Sequence, residues 1–370
     1  PQAPETPSTA RRFVSDSSQT VAVRPGEELD TGIVARFLAD HLPVPAADVA
    51  IEQFPGGASN LTYLVSAGDK EYVLRRPPFG TKAKSAHDMA REYRILSHLH
   101  EVFAYAPRPL AFCSDASLIG EPFYVMERLP GIILRRELPE GLTLDAGAAR
   151  ALCENLIGVQ AELHAVNYAA AGLEGLGHPE GYIARQIAGW SDRYRKARTP
   201  DVPDNEALMT WLADNQPPDS GRAALIHNDY KFDNVVLTAS DHGLAISGVL
   251  DWEMATLGDP LMDLGASLAY WVEAGDPRPM QLIRMLPTHL PGMMSRREVV
   301  ERYFQVSGLD TERFDIYYVY GLFRLAVIVQ QIYYRYTKGQ TSNPQFARFG
   351  EFCTVLSRTA EAVAGGADLI

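Results

Sequence analysis

At 370 residues the chain is long enough for two lobes with separate cores and too long for one small domain. Its 46% hydrophobic and 22% charged residues are ordinary globular proportions, which excludes a disordered or fibrous chain. A net charge of −12 argues against a general nucleic-acid binder, which needs a basic face, but leaves room for a local phosphate site.

Residues 1 to about 30 are rich in Pro, Ser and Thr and read as a flexible arm without the apolar segment of a signal peptide. Asp30 is placed to cap a helix, because Ile33, Val34, Phe37, Leu38 and Leu42 recur at helical spacing. Three short β patterns follow at Val49–Phe54, Leu61–Val65 and Glu71–Arg76. Gly56-Gly57 and Gly68-Asp69 separate them, so an antiparallel meander is expected. Ser85, with Asp88 three positions on, predicts the start of a helix carrying Met89, Ile95, Leu96 and Leu99. Strand patterns at Pro109–Cys113 and Pro122–Leu129 precede Pro130-Gly131, after which the character changes. Leu144–Val166 and most of the remaining chain, including the aromatic Phe314–Tyr336, carry helical periodicity. Only Ala223–Leu250 breaks it, with short apolar runs around polar turns.

This layout predicts an α+β fold of two lobes: a small antiparallel sheet lobe and a larger, mainly helical one. The boundaries are an arm over 1–30, an N-terminal nucleotide-binding lobe over 31–129 and a C-terminal catalytic and substrate lobe over 130–370. Cys113, Cys153 and Cys353 are odd in number and lack C-x-x-C spacing, which argues against disulfides or a thiolate zinc site and for the reducing cytoplasm. No uncharged apolar run reaches the length of a membrane span. His87, His98, His100 and His164 lack metal-ligand spacing, and the tyrosines of Phe314–Tyr336 read as helix packing.

Two motifs carry chemistry. His227-Asn228-Asp229-Tyr230-Lys231-Phe232-Asp233-Asn234 lies between apolar runs. Phosphoryl transfer to an alcohol needs a carboxylate that accepts the hydroxyl proton and an oxygen ligand for magnesium; an Asp with an Asn five residues later supplies both. Leu250-Asp251-Trp252-Glu253 then puts a second carboxylate at the end of an apolar β run, suited to chelating magnesium between phosphates.

These two motifs, followed by Gly258-Asp259-Pro260 and Asp263-Leu264, resemble the aminoglycoside phosphotransferase and choline kinase superfamily, whose fold is protein-kinase-like. The resemblance extends from about residue 50 to at least 270. Gly56-Gly57-Ala58-Ser59-Asn60 and Tyr72-Val73-Leu74-Arg75-Arg76-Pro77-Pro78 are similar to the branch that holds the kinase module fused to some acyl-CoA dehydrogenases. The resemblance implies a bilobal kinase with ATP, or GTP, and Mg²⁺ in its cleft. Asp229 is then the proton acceptor, Lys231 brings a cation to the γ-phosphate, and Asn234 and Asp251 hold the metal. Gly57, Ser59 and Asn60 cover the phosphates, while Val73 touches the base. Arg75 replaces the usual phosphate-binding lysine, with Arg76 as the candidate if the strand register slips by one, and Glu92 is its ion-pair partner. Glu127 and Leu129 lie in the hinge that reads the adenine edge through backbone groups. Asp259 and Asp263 read as structural, bonding loop backbone or capping a helix.

The expected partner is a small-molecule hydroxyl substrate, aminoglycoside-like, another alcohol or a hydroxyacyl compound, with no nucleic acid and no membrane. The oligomeric state is not encoded in these patterns. Two other readings stay open at this stage: a nucleotide-binding pseudokinase scaffold, to which the arginine at 75 points, and a metal-dependent phosphohydrolase using the same Asp/Asn cluster.

Overall fold

The computed structural model describes residues 20–44, 49–55, 60–78, 88–218, 222–240, 243–341 and 343–369. The chain divides into two compact units, one formed by 1–132, 171–173 and 235–253, the other by 133–170, 174–234 and 254–370.

The first unit is built on a five-stranded antiparallel sheet of β1 (Val49–Gln53), β2 (Leu61–Ala67), β3 (Lys70–Arg76), β4 (Pro109–Cys113) and β5 (Phe123–Glu127), ordered β1-β2-β3-β5-β4. The expected meander is present. Helix α1 (Thr31–His41) opens on Asp30, whose carboxylate accepts the Ile33 N–H at 2.9 Å. Its apolar face, Val34, Phe37 and Leu38, joins Tyr63, Leu74, Phe123 and Val125 in one core. Because side chains alternate along a strand, β3 offers Leu74 to this core and leaves Val73 and Arg75 on the opposite face. Helix α2 (Met89–Leu99) starts later than the sequence suggests: Asp88 is itself the N-cap, accepting from the Arg91 N–H at 2.9 Å, and Ser85 lies outside the described residues. A hairpin of Val235–Ser240 and Gly243–Val249 completes the unit and ends at Asp251.

The second unit is mainly helical: α3 (Ala146–His164), α4 (Tyr182–Ala197), α5 (Glu206–Asn215), α6 (Pro260–Leu268), α7 (Arg278–Ile283), α8 (Arg296–Ser307), α9 (Phe314–Thr337) and α10 (Phe349–Ala364). Two short antiparallel strands, Ala224–Ile226 and Thr256–Gly258, lie among them and lead into and out of the functional motifs. Asp259 accepts the Leu261 and Met262 N–H groups and so caps α6, with Pro260 in the first turn. In α9, Tyr317, Tyr318, Tyr320 and Phe323 are buried packing residues. No described helix is long and apolar enough to cross a membrane.

Candidate active site

In the first unit, Arg75 is the centre of the charged cluster. Its Nη1 donates to Glu92 Oε1 at 2.8 Å and its Nη2 to Asp251 Oδ1 at 2.9 Å, so the planar guanidinium spans two carboxylates. Glu92 projects from the first turn of α2 and is 1% exposed, too buried to stay charged without this partner. Burial pushes Arg75 down, but Glu92 first, then Tyr124 and Asp251, outweigh it and hold the guanidinium well above its ordinary value.

Asp251 occupies left-handed backbone at φ +67°, a conformation open to Asp but uncommon outside glycine. Neighbouring contacts fix that turn: Trp252 Nε1 donates to Val249 O at 2.9 Å and its ring meets Phe103 edge-on at 6.0 Å. Glu253 is tied down twice, its Oε2 accepting from Asn60 Nδ2 at 2.6 Å and its carbonyl from Arg91 Nη1 at 3.0 Å. Asn60, just before β2, thus links that strand to the Asp251 segment; Gly57 and Ser59 lie outside the described residues. Val73 is buried on β3, two residues before Arg75. Arg76 takes the other face, donating to Ile119 O at 2.7 Å and Pro77 O at 3.1 Å. Glu127 closes β5, and its carboxylate accepts from the Arg108 N–H at 2.7 Å. Leu129 sits on Gly248: a Cβ there would stand 2.2 Å from its Cδ1, which explains why that strand carries glycine.

In the second unit, the loop 227–234 gathers its polar side chains around Asp229. Asp229 Oδ2 accepts from Lys231 Nζ at 2.6 Å and from Asn234 Nδ2 at 2.8 Å; Asn234 Nδ2 also reaches Asp229 O at 2.8 Å. Lys231 contacts Asp233 at 3.1 Å and lies 5.2 Å from the Tyr270 ring centroid. Burial would lower Lys231, but Asp229 and Asp233 outweigh it and raise the ammonium well above its ordinary value. A 3-10 turn over Phe232–Asn234 brings Asn234 back onto Asp229.

The loop backbone is held from beneath. Asp263 on α6, fully buried, accepts the Asn228 N–H at 2.6 Å and the His227 N–H at 3.2 Å, and pairs with His164 Nε2 at 2.9 Å. Tyr303 meets the other His164 nitrogen at 2.7 Å. Burial alone would raise Asp263, but the His164 hydrogen bond and charge hold its carboxyl below the ordinary range. The sequence offered Asp263 as a backbone-bonding residue but gave no sign of His164 as its partner. It also missed Arg324, whose position as a lone charge inside an apolar helix is itself a signal, since a buried charge requires a partner.

The sheet unit carries an Arg–Glu–Asp cluster and the helical unit an Asp–Lys–Asn loop, and comparison with known proteins shows a phosphotransferase with a kinase-like fold and an alcohol group as acceptor. The model of the phosphotransferase enzyme family matches residues 50–291, and the chain belongs to that family. It is 32% identical over 349 residues to acyl-CoA dehydrogenase family member 11 of Gallus gallus, covering 91% of this chain and 44% of that protein. The chain therefore spans less than half the length of this relative. Among solved structures it is similar to a Ralstonia eutropha JMP134 protein provisionally assigned as an aminoglycoside phosphotransferase, with 28% identity, a TM-score of 0.77, and 92% of this chain and 100% of that one covered. A thermostable aminoglycoside phosphotransferase variant, solved with AMP-PNP and hygromycin B, shares the fold at 18% identity and a TM-score of 0.57, with 90% and 99% covered.

Proposed function

We propose that this chain transfers the γ-phosphoryl group of Mg-ATP, or Mg-GTP, to the hydroxyl of a small molecule, with a hydroxylated acyl thioester as the acceptor class. The observation that carries the reaction is the Asp229 carboxylate, held at 2.6 Å from Lys231 Nζ and 2.8 Å from Asn234 Nδ2 on a loop with a fixed backbone. Asp229 accepts the proton of the attacking hydroxyl. Lys231, permanently charged, follows the transferred phosphoryl oxygens. Arg75 holds α/β-phosphate oxygens and is itself oriented by Glu92. Val73, Glu127 and Leu129 frame the base, and Gly57, Ser59 and Asn60 cover the phosphates.

The donor chemistry suits magnesium. Asn234 spends its Nδ2 on Asp229, which aims the amide oxygen away as a ligand, and Asp251 adds a carboxylate. Among the described residues no three His, Cys, Asp or Glu side chains group as an all-protein metal site. Magnesium fits that pattern, being commonly held by one or two protein oxygens plus the substrate phosphates. When bound, it supplies neutralisation of the developing phosphate charge.

Support for a hydroxyacyl acceptor comes from the name of the chicken relative, an acyl-CoA dehydrogenase family member that contains a segment like this chain. An aminoglycoside acceptor is the second reading, favoured by the Ralstonia protein. The test is nucleotide consumption with ATP and with GTP across hydroxyacyl thioesters, aminoglycosides, choline-like amines and sugars, with the phosphorylated product identified by mass. A phosphorylated hydroxyacyl thioester is expected. Phosphorylation of aminoglycosides alone would replace this acceptor with the second reading, and no phosphorylated alcohol from any class would overturn the proposal.

A further inference from the structure

The residue that precedes Asp229 is gripped at both of its backbone polar groups by side chains from two helices. Asn228 stands at φ +64°, and its N–H goes to Asp263 of α6 at 2.6 Å while its carbonyl accepts from Arg324 Nη2 of α9 at 2.7 Å. Its side chain is fixed as well, donating to Met254 O at 3.1 Å and accepting from Tyr182 at 3.3 Å. Every polar group of Asn228 is therefore engaged.

Arg324 is 2% exposed, and among the described residues no carboxylate bonds it directly. It stacks 5.2 Å from the Trp190 ring centroid and contacts Met254 Sδ at 3.6 Å. Burying a guanidinium without a carboxylate is costly, so the helix keeps this charge against a local penalty. The distance between the two arms is set by a helix crossing at glycines. A Cβ on Gly321 would lie 2.0 Å from Gly265 O, and one on Gly265 would lie 2.2 Å from Tyr317 O. Arg324 is three residues beyond Gly321, and Asp263 is two before Gly265, so the closest approach of α6 and α9 lies beside the clamp.

We infer that Arg324 is a positioning residue for phosphoryl transfer: with Asp263 it clamps the backbone of Asn228 and so fixes the direction of the Asp229 carboxylate. This rests on Asp229 being the proton acceptor. Guanidinium geometry is needed because the donor must lie in the plane of a carbonyl reached across a packed helix interface. A misplacement of about 1 Å at a reacting group costs on the order of 100-fold in rate, so loss of the clamp belongs in kcat.

The test uses the full chain and phosphate release from Mg-ATP with water as acceptor, together with hydrogen exchange of the 224–234 segment. Arg324→Ala should lower kcat on the order of 10- to 100-fold with the KM for ATP little changed, and should speed exchange at Asn228 and Asp229. Added guanidinium ion should restore part of the rate, and Arg324→Lys should fall between, which keeps the test alive if the alanine variant does not fold. Arg193→Gln removes the other cation stacked on Trp190, at 4.6 Å, and should leave both readouts unchanged. Exchange and kcat unaltered in both Arg324 variants would overturn the inference, as would a kcat loss that guanidinium does not touch and lysine does not ease. A fully active Asp229→Asn would instead defeat the proton-acceptor assignment, so the two failures are distinct.

Discussion

Arg75 and Asp251 lie 176 residues apart in sequence and meet at 2.9 Å, with the second edge of the same guanidinium on Glu92 at 2.8 Å. Lysine, a single point charge, cannot present two flat edges to two carboxylates. Arg75→Ala should leave Glu92 buried without its partner, costing about 3–5 kcal/mol by denaturant unfolding. The same variant should weaken Mg-ATP binding, and Arg75→Lys should be intermediate in both. Arg76→Ala should lower stability, because it orphans the carbonyls of Ile119 and Pro77, while leaving nucleotide affinity near that of the parent. A larger affinity loss from Arg76 than from Arg75 would remove Arg75 from the phosphate site.

The acid–base and metal roles separate by binding. Asp229→Asn should retain Mg-ATP affinity, read as the nucleotide-induced rise in melting temperature, and lose roughly 10²–10⁴-fold in turnover. Asp251→Ala should lose both, since it removes a hard oxygen ligand. Equal binding defects in the two variants would refute this division.

Asp263 makes the loop acid-sensitive. Its folded carboxyl lies below its ordinary 3.8 because His164 outweighs burial, so the unfolded chain takes up the proton first. The stabilisation is complete above about 3.8 and is lost as pH falls through the lower folded value. Unfolding free energy against pH should therefore drop more gently for Asp263→Asn than for the parent below pH 4, from a lower starting stability. Parallel curves would show that the group does not couple to folding.

Buried thiols should be silent in the native state. Burial pushes Cys153 up to about 12 and Cys353 up to about 11, and Cys113 is also buried. At pH 8 the thiolate fraction of a group with a pKa of 12 is about 1 in 10⁴, so Ellman's reagent should titrate these thiols only after denaturation. A fast-reacting native thiol would mean that one of the three becomes exposed.

Gly321→Ala should destabilise by about 1–3 kcal/mol or more, because the added methyl would stand 2.0 Å from the Gly265 carbonyl oxygen on a packed helix. Unchanged thermal stability would mean that α6 and α9 can part without cost.

Much of this was legible locally. Alternating apolar residues and Gly-containing turns determined the antiparallel sheet, and helical periodicity marked most of the second unit, because both patterns follow from the repeat of a single element. The motifs 227–234 and 250–253 could be picked out as candidates because Asp229, Lys231 and Asn234 stand on one short loop. What one strand or loop could not reveal was the partner across the fold. Sequence left Arg75 and Arg76 as alternatives; only the β3 register and the approach of α2 bring Arg75 to Glu92 and send Arg76 to backbone carbonyls. His164 and Arg324 look like an ordinary histidine and an isolated charge until folding brings them to Asp263 and Asn228, 99 and 96 residues away. Tertiary packing decided those roles, because a buried polar group takes its function from whatever partner the fold delivers to it.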